Sequence, residues 1–358
     1  MFYREAGIFK TSYGADQAVF AIPLDRLAVI VLLVVAFVGV PLIINDYWAN
    51  AILIPFLVFS MAALGLNILT GYCGQVSLGT GGFMAVGAFA TYKLTTSFPD
   101  LNLIIVVLLS GLITALVGLL FGIPSLRIKG FYLAVATLAA QFFLVWLFNK
   151  AAWFYNYNAS GQITAPPREV FGYLITGPAA GPVPTYLFCL AFVVVFAFFA
   201  KNLVRGRIGR SWMAIRDMDI AAELIGIRPL YAKLLAFSVS SFYIGIAGSL
   251  MFAVWLGSAE PTEAFDVNQS FLVLFMIIIG GLGSVMGSFL GAGFMTLMPI
   301  LLKNLMVDTI GFQTHTAEHV QITLMGVLII FFLIVEPHGF ARLWQITKEK
   351  LRLWPFPH

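Results

Sequence analysis

The chain alternates between long apolar stretches and short polar interruptions. Ten apolar stretches can be marked: 27–44, 49–69, 71–96, 101–123, 131–148, 184–203, 231–256, 267–280, a ninth ending near 306, and 320–335. Most approach the roughly 20 residues that a helix needs to cross a bilayer. The pattern predicts an all-α polytopic membrane protein of about ten transmembrane helices. The third and eighth stretches can also be read as re-entrant, and losing both leaves eight spans with the same parity. The third carries Gly-Tyr-Cys-Gly-Gln-Val-Ser-Leu-Gly-Thr-Gly-Gly from Gly71 onward, and a discontinuous helix is expected there. A second small-residue run, Gly280 to Gly293, is expected to form a turn.

The longest charged interruption is 206–230. It predicts an amphipathic helix over about 211–226, with Ser211 as N-cap, Gly226 at the C-terminal end and Pro229 blocking continuation. Ile215, Met218, Ala222 and Ile225 form one apolar stripe, while Arg216, Asp219 and Glu223 share another face. Such a helix lies on a membrane surface or docks into a partner's groove. The plainer reading is a solvated linker helix.

Composition agrees with the pattern. Of 358 residues, 61% are hydrophobic and 10% charged, and the mean hydropathy is +0.97. Soluble domains carry roughly 25% charged residues. The net charge of +4 says less than where the charges fall. With both termini cytoplasmic, the inside holds Arg4, Lys10, Arg26, Arg127, Lys129, Lys201, Arg205, Arg207, Arg210, Arg216, Arg228, Lys233 and four cations of the tail. Lys93, Lys150, Arg168 and Lys303 remain for the outside. This bias places 206–230 in the cytoplasm and 149–183 outside. It divides the chain into a cytoplasmic segment 1–26, a membrane domain 27–335 and a basic cytoplasmic tail 336–358. Cys73 and Cys189 lie in apolar stretches and are expected to be buried thiols without a disulfide. No cleavable leader is expected, because the first apolar run begins near Leu27.

Candidate chemistry is sparse. The apolar stretches contain essentially no acidic residues, which argues against an ion-coupled carrier and against an intramembrane enzyme. No G-x-x-x-x-G-K-[ST] pattern occurs, so the chain binds no ATP through a P-loop. His315-Thr-Ala-Glu318-His319 matches a zinc-peptidase pattern, but polar capping of a helix start is the favoured reading. Asn158-Ala-Ser160 and Asn268-Gln-Ser270 match the glycosylation pattern and are assigned no role. The small-residue runs have two readings. One is close helix packing. The other is a broken helix lining a translocation path, with Asn67, Thr70, Gly71, Gln75, Ser77, Gly79 and Thr80 offering hydrogen bonds to a polar solute.

Five ordered motifs then carry a resemblance. They are Ala63-Leu-Gly65-Leu-Asn67 through Gly71-Tyr-Cys-Gly74-Gln75-Val-Ser77-Leu-Gly79, and Arg127-Ile-Lys-Gly130-Phe-Tyr132-Leu-Ala134-Val-Ala-Thr137. Next come Gly209-Arg210-Ser-Trp-Met-Ala214-Ile215-Arg216 with Ile220-Ala221-Ala222-Glu223 and Gly226, then Gly280-Gly281-Leu-Gly283-Ser284-Val-Met-Gly287, then Glu336-Pro337-His-Gly339. Nearly the whole chain resembles the LivM-type permease subunit of branched-chain amino acid ABC importers. The resemblance implies a non-catalytic translocation subunit of the bacterial inner membrane, in contact with lipid and not with nucleic acid. It implies a heterodimer with a LivH-type permease, two cytoplasmic ABC ATPases and a periplasmic substrate-binding protein. The chain itself would bind no cofactor, and ATP and Mg would be used by the ATPases. The 211–226 segment would be the coupling helix, similar to the EAA-type segment of other ABC permeases. Gly209, Arg210, Ala214, Ile215, Arg216, Asp219, Ala221, Ala222, Glu223 and Gly226 would form its ATPase-coupling set, with Arg216 and Glu223 fixing register by charge. The 149–183 connection would dock the binding protein. Its Asn156-Tyr-Asn-Ala-Ser-Gly161-Gln-Ile departs from the Gly-rich pattern of many relatives. Urea, short amides or another small carboxylate therefore stand beside branched-chain amino acids as solutes. A uniport channel would leave the amphipathic segment without a purpose.

Overall fold

A computed structural model describes residues 11–12, 19–20, 23–125, 132–309, 314–335 and 338–353. The basic loop with Arg127 and Lys129, the cations Arg4 and Lys10, the Glu336-Pro337 pair and the side chains of His315 and Glu318 lie outside the described residues.

The architecture is all-α. The helices are α1 (Asp25–Ile43), α2 (Trp48–Tyr72), α3 (Thr80–Ser97), α4 (Leu103–Ser125), α5 (Tyr132–Lys150) and α6 (Pro182–Arg205). After α6 come the short helices α7 (Arg207–Asp217) and α8 (Asp219–Leu224). Then follow α9 (Pro229–Leu256), α10 (Val267–Gly280), α11 (Val285–Asn304), α12 (Thr314–Val335) and α13 (Gly339–Leu353). Each of the ten apolar stretches contributes a helix. Among the described residues, eight helices are long and apolar enough to cross a membrane, α10 qualifying with the short helical turn before it as Pro261–Gly280.

The differences from expectation have physical causes. The third stretch does not begin at Gly71: α2 runs on to Tyr72, an irregular segment follows, and α3 starts at Thr80. Helix α3 is absent from the eight because it is rich in Gly and Thr. Other helices wall it on nearly every side, so it needs no lipid-compatible surface. The turn expected over 280–293 is confined to the few residues between α10 and α11, and Gly287 to Gly293 belong to α11. The basic tail is partly helical, since α13 packs on α10 and α11 and seats Phe340 against Phe294 and Phe332.

The core is α9 crossed by α2, α3 and α4. Helices α3 and α9 approach so closely that a Cβ on Gly87 would strike the Gly245 carbonyl and one on Gly248 the Met84 carbonyl. Small residues allow such approach, and dispersion then replaces the hydrophobic drive that lipid cannot supply. Some polar groups in this core are paired: the Thr91 hydroxyl donates to the Gly87 carbonyl at 2.8 Å and to Ser249 Oγ at 2.6 Å, whereas the buried Ser60 and Ser240 hydroxyls have no partner among the described residues. Both thiols are buried and free, as expected. By contrast α1 is apolar and has no fully buried residue, touching the core only through half-buried side chains such as Ala36 and Val40.

Residues 149–183 fold into a cap. Strand β1 (Ile163–Thr164) pairs antiparallel with β4 (Ser258–Ala259), and β2 (Arg168–Val170) with β3 (Tyr173–Thr176). The cap holds the C-terminal end of α3. Arg168 donates to the Thr95 carbonyl, and the Lys93 ammonium lies 4.0 Å from the Trp153 ring centre. Cations suit the negative end of a helix.

Candidate functional site: the short helix pair and the broken connection

The 206–230 interruption forms two helices rather than one. Met218 is extended at φ −159° and ψ 105°, and it separates α7 from α8. Asp217 and Asp219 flank it, and aspartate is a poor interior helix former. Asp219 instead opens α8, where its charge suits the positive helix end, and pairs with Lys233 Nζ at 2.6 Å. Ser211 is not an N-cap: α7 begins at Arg207, and the Ser211 hydroxyl donates back to the Arg207 carbonyl at 3.0 Å. Gly226 does close the segment, at φ +88°, with Ile227 N–H donating to the Ala222 carbonyl at 3.1 Å.

The break divides the expected stripe. Ile215 and Ala222 turn inward and are buried. Met218 and Ile225 turn outward and, with Ile220 and Leu224, leave an apolar surface in which each side chain is 64–84% exposed. Glu223, Arg210 and Ala221 are exposed and Ala214 is half-buried. Among the described residues neither Glu223 nor Arg210 enters an ion pair. Gly209 is buried, and a Cβ there would strike the Val204 carbonyl. Trp212, which the sequence did not single out, is fully buried and donates its indole N–H to the Ala232 carbonyl at 2.9 Å.

Arg216 sits differently from its expected place among outward-facing charges. Its Nη1 donates to the Gly71 carbonyl at 3.0 Å, while Nε and Nη2 reach Asp217 Oδ1 at 3.0 and 2.9 Å. It therefore points from α7 to the end of α2.

There the two small-residue runs meet. Asn67 is buried; its Nδ2 donates to the Ser284 carbonyl at 2.8 Å and Ser288 Oγ at 2.9 Å, and its Oδ1 accepts from Gly283 N–H at 2.9 Å. Thr70 Oγ1 donates to the Gln75 carbonyl at 3.0 Å, and Gln75 N–H to the Leu69 carbonyl at 3.1 Å. The irregular 73–79 segment is then pinned by side chains of α5 and α10. Leu78 N–H donates to Thr137 Oγ1 at 2.9 Å, and Gly81 N–H to Ser270 Oγ at 2.8 Å. Gly82 N–H donates to Gln141 Oε1, which also accepts from Ser270 Oγ at 3.0 Å, while Gln141 Nε2 donates to the Phe265 carbonyl at 2.7 Å. Ser77 Oγ accepts from Gly79 N–H at 3.5 Å. The Gly81, Gly82 and Phe83 N–H donors at the start of α3, which a broken helix would offer to a solute, are thus already occupied. Gln75 Oε1 and Thr80 Oγ1 have no partner among the described residues.

The helix pair is thus a tethered element with an apolar outer face, set beside a broken helix in an apolar bundle. Comparison with known proteins decides its class. A family model described as "Branched-chain amino acid transport system / permease component" matches residues 48–333. The chain belongs to this family.

The permease is 31% identical over 316 residues to the high-affinity branched-chain amino acid transport system permease protein LivM of Escherichia coli, covering 83% of this chain and 70% of the relative. The LivM of Salmonella typhimurium is 30% identical over 317 residues, with the same coverage. The fructose import permease protein FruG of Bifidobacterium longum is 26% identical over 294 residues, covering 78% of this chain and 79% of the relative. No solved structure matches. The permease is a non-catalytic translocation component, a multi-pass protein of the bacterial inner membrane.

Proposed function

We propose that the permease imports branched-chain or other hydrophobic amino acids as one half of an ATP-driven translocation unit. The observation that carries this reading is the exposed apolar surface of Met218, Ile220, Leu224 and Ile225 on an element otherwise anchored to α6, α9 and α2. Exposed apolar side chains on a polar, charged element mark a contact for another protein. Two cytoplasmic ABC ATPases, holding ATP and Mg, are the expected partners. Their closure on ATP would displace α7 and α8 as a body and rock the helices attached to them. A LivH-type permease would complete the path across the membrane. A periplasmic binding protein would deliver solute to the cap, where Trp153, Tyr157, Phe171 and Tyr173 stand exposed.

The distribution of basic residues supports a cytoplasmic position for both termini and the α7–α8 pair. Asn67, Thr70, Gly71, Gln75, Ser77 and Gly79 would shape the path through backbone geometry, because most of their polar groups are already paired. The test is uptake of labelled leucine by cells lacking the gene and by cells in which it is restored, with ATP present or depleted. Restored, ATP-dependent uptake supports the reading. No change, with the protein in the membrane, would reject leucine. The likeness to a fructose permease favours a different small solute in that case, and sugars, urea and short amides form the next panel.

A further inference from the structure

Arg216 is held from both sides in a slot lined by glycines. The slot belongs to two turns that are far apart in sequence: the end of α2 and the turn between α10 and α11. A Cβ on Gly74 would lie 2.9 Å from Arg216 Cγ, and one on Gly283 would lie 3.3 Å from Nη1. A Cβ on Gly71 would strike Asn67 Oδ1 and Gly283 N, so the two turns also touch each other directly. The stem of Arg216 lies over Gly74 and its Nη1 over Gly283, while the side chain stays 38% exposed. Its Nη1 donates to the Gly71 carbonyl at 3.0 Å. That carbonyl sits in the last turn of α2, where intrahelical donors run out and the helix end is negative. The Asp217 carboxylate takes Nε and Nη2 and so fixes the plane of the guanidinium. Lysine, with one ammonium, cannot hold both partners in this fork.

The other side-chain links of α7 and α8 run elsewhere. Trp212 and Asp219 tie them to α9. Among the described residues, Arg216 makes the one side-chain hydrogen bond from this helix pair to α2.

We propose that Arg216 is a positioning residue that transmits movement of the cytoplasmic helix pair to the broken α2–α3 connection, by way of the Gly71 carbonyl. A guanidinium clamped by Asp217 on one side and the glycine slot on the other moves with α7. The Tyr72–Gly79 segment follows, and with it the start of α3. The transport consequence rests on the proposed ATPase docking; the tie itself does not.

The two native cysteines supply the test. Cys73 lies in the segment that Arg216 holds, and Cys189 is buried in α6. Membranes containing the full chain with its partner subunits are treated with N-ethylmaleimide, and labelling at each cysteine is read by peptide mass spectrometry. In Arg216→Gln, Cys73 labelling is expected to rise several-fold while Cys189 stays protected, with Arg216→Lys between the two. ATP hydrolysed per solute imported is expected to rise several-fold in parallel. Wild-type protection of Cys73 in Arg216→Gln would overturn the tie. An equal rise at Cys189 would also overturn it, by making Arg216 a residue of general stability. A rise at Cys73 with unchanged ATP per solute would overturn the transmission. Leu224→Glu separates this proposal from the docking reading. If that variant still binds its ATPases, docking on α8 is wrong, while the Cys73 result for Arg216 stands alone.

Discussion

Glu223 and Gly226 are close in sequence and answer to different physics. Glu223 is exposed, and among the described residues no cation pairs with it. Reversing its charge disturbs nothing inside the chain. Glu223→Lys is therefore expected to reach the membrane in normal amount and to lose most of its ATP-dependent uptake while ATP hydrolysis continues. Uptake at the wild-type rate would remove Glu223 from the docking surface. Gly226 has open space where a Cβ would go, so its requirement is purely conformational. At φ +88° a β-branched residue is strained. Gly226→Val is expected to cost about 1–2 kcal/mol and to lower the yield of assembled complex on native gels. Unchanged yield would show that the α8 end tolerates another conformation.

At the scale of elements, the legible features were those set by local rules. Gly226 followed by Pro229 marks a helix end, and the structure ends the helical segment there. Apolar stretch length marked the helices. The Met218 break was hidden, because a single apolar stripe can be drawn through residues that two helices aim in opposite directions. Trp212 was hidden because its partner is a backbone carbonyl of a later helix. Arg216 is partly exposed and looked like an ordinary surface charge, because nothing in 206–230 encodes the glycine turns it packs against. The glycine runs themselves were legible as close packing, but not the pinning of one run by Thr137, Gln141 and Ser270. Those three are ordinary polar residues in apolar helices until the chain is folded. Gln141 is the strongest case, since one amide joins α3, α5 and α10. Gln141→Leu leaves the Gly82 N–H and the Phe265 carbonyl without this partner, at about 1–3 kcal/mol for each buried group left unpaired. The solubilised complex is expected to unfold several degrees lower. An unchanged midpoint would mean that other groups replace the amide.

The whole molecule presents two unlike ends. One carries the strand-paired cap with exposed aromatic residues, and the other carries α7, α8 and their cations. Their sidedness can be measured directly. Tyr157→Cys is expected to react with a membrane-impermeant maleimide in intact spheroplasts, whereas Leu224→Cys reacts only after permeabilisation. The reverse pattern would invert the topology and remove the basis for ATPase docking at α8.

Helix α3 has a consequence of another kind. It falls short of the apolarity of the eight described helices that are long and apolar enough to cross a membrane, and its companions are α4, α5, α9 and α10. All four leave the ribosome only after α3 has emerged. A segment admitted to lipid on its own hydrophobicity can insert as it is made, but α3 must wait for its neighbours. Biogenesis of this permease is therefore a matter of order as well as composition, with α3 threaded between helices that the chain has yet to supply.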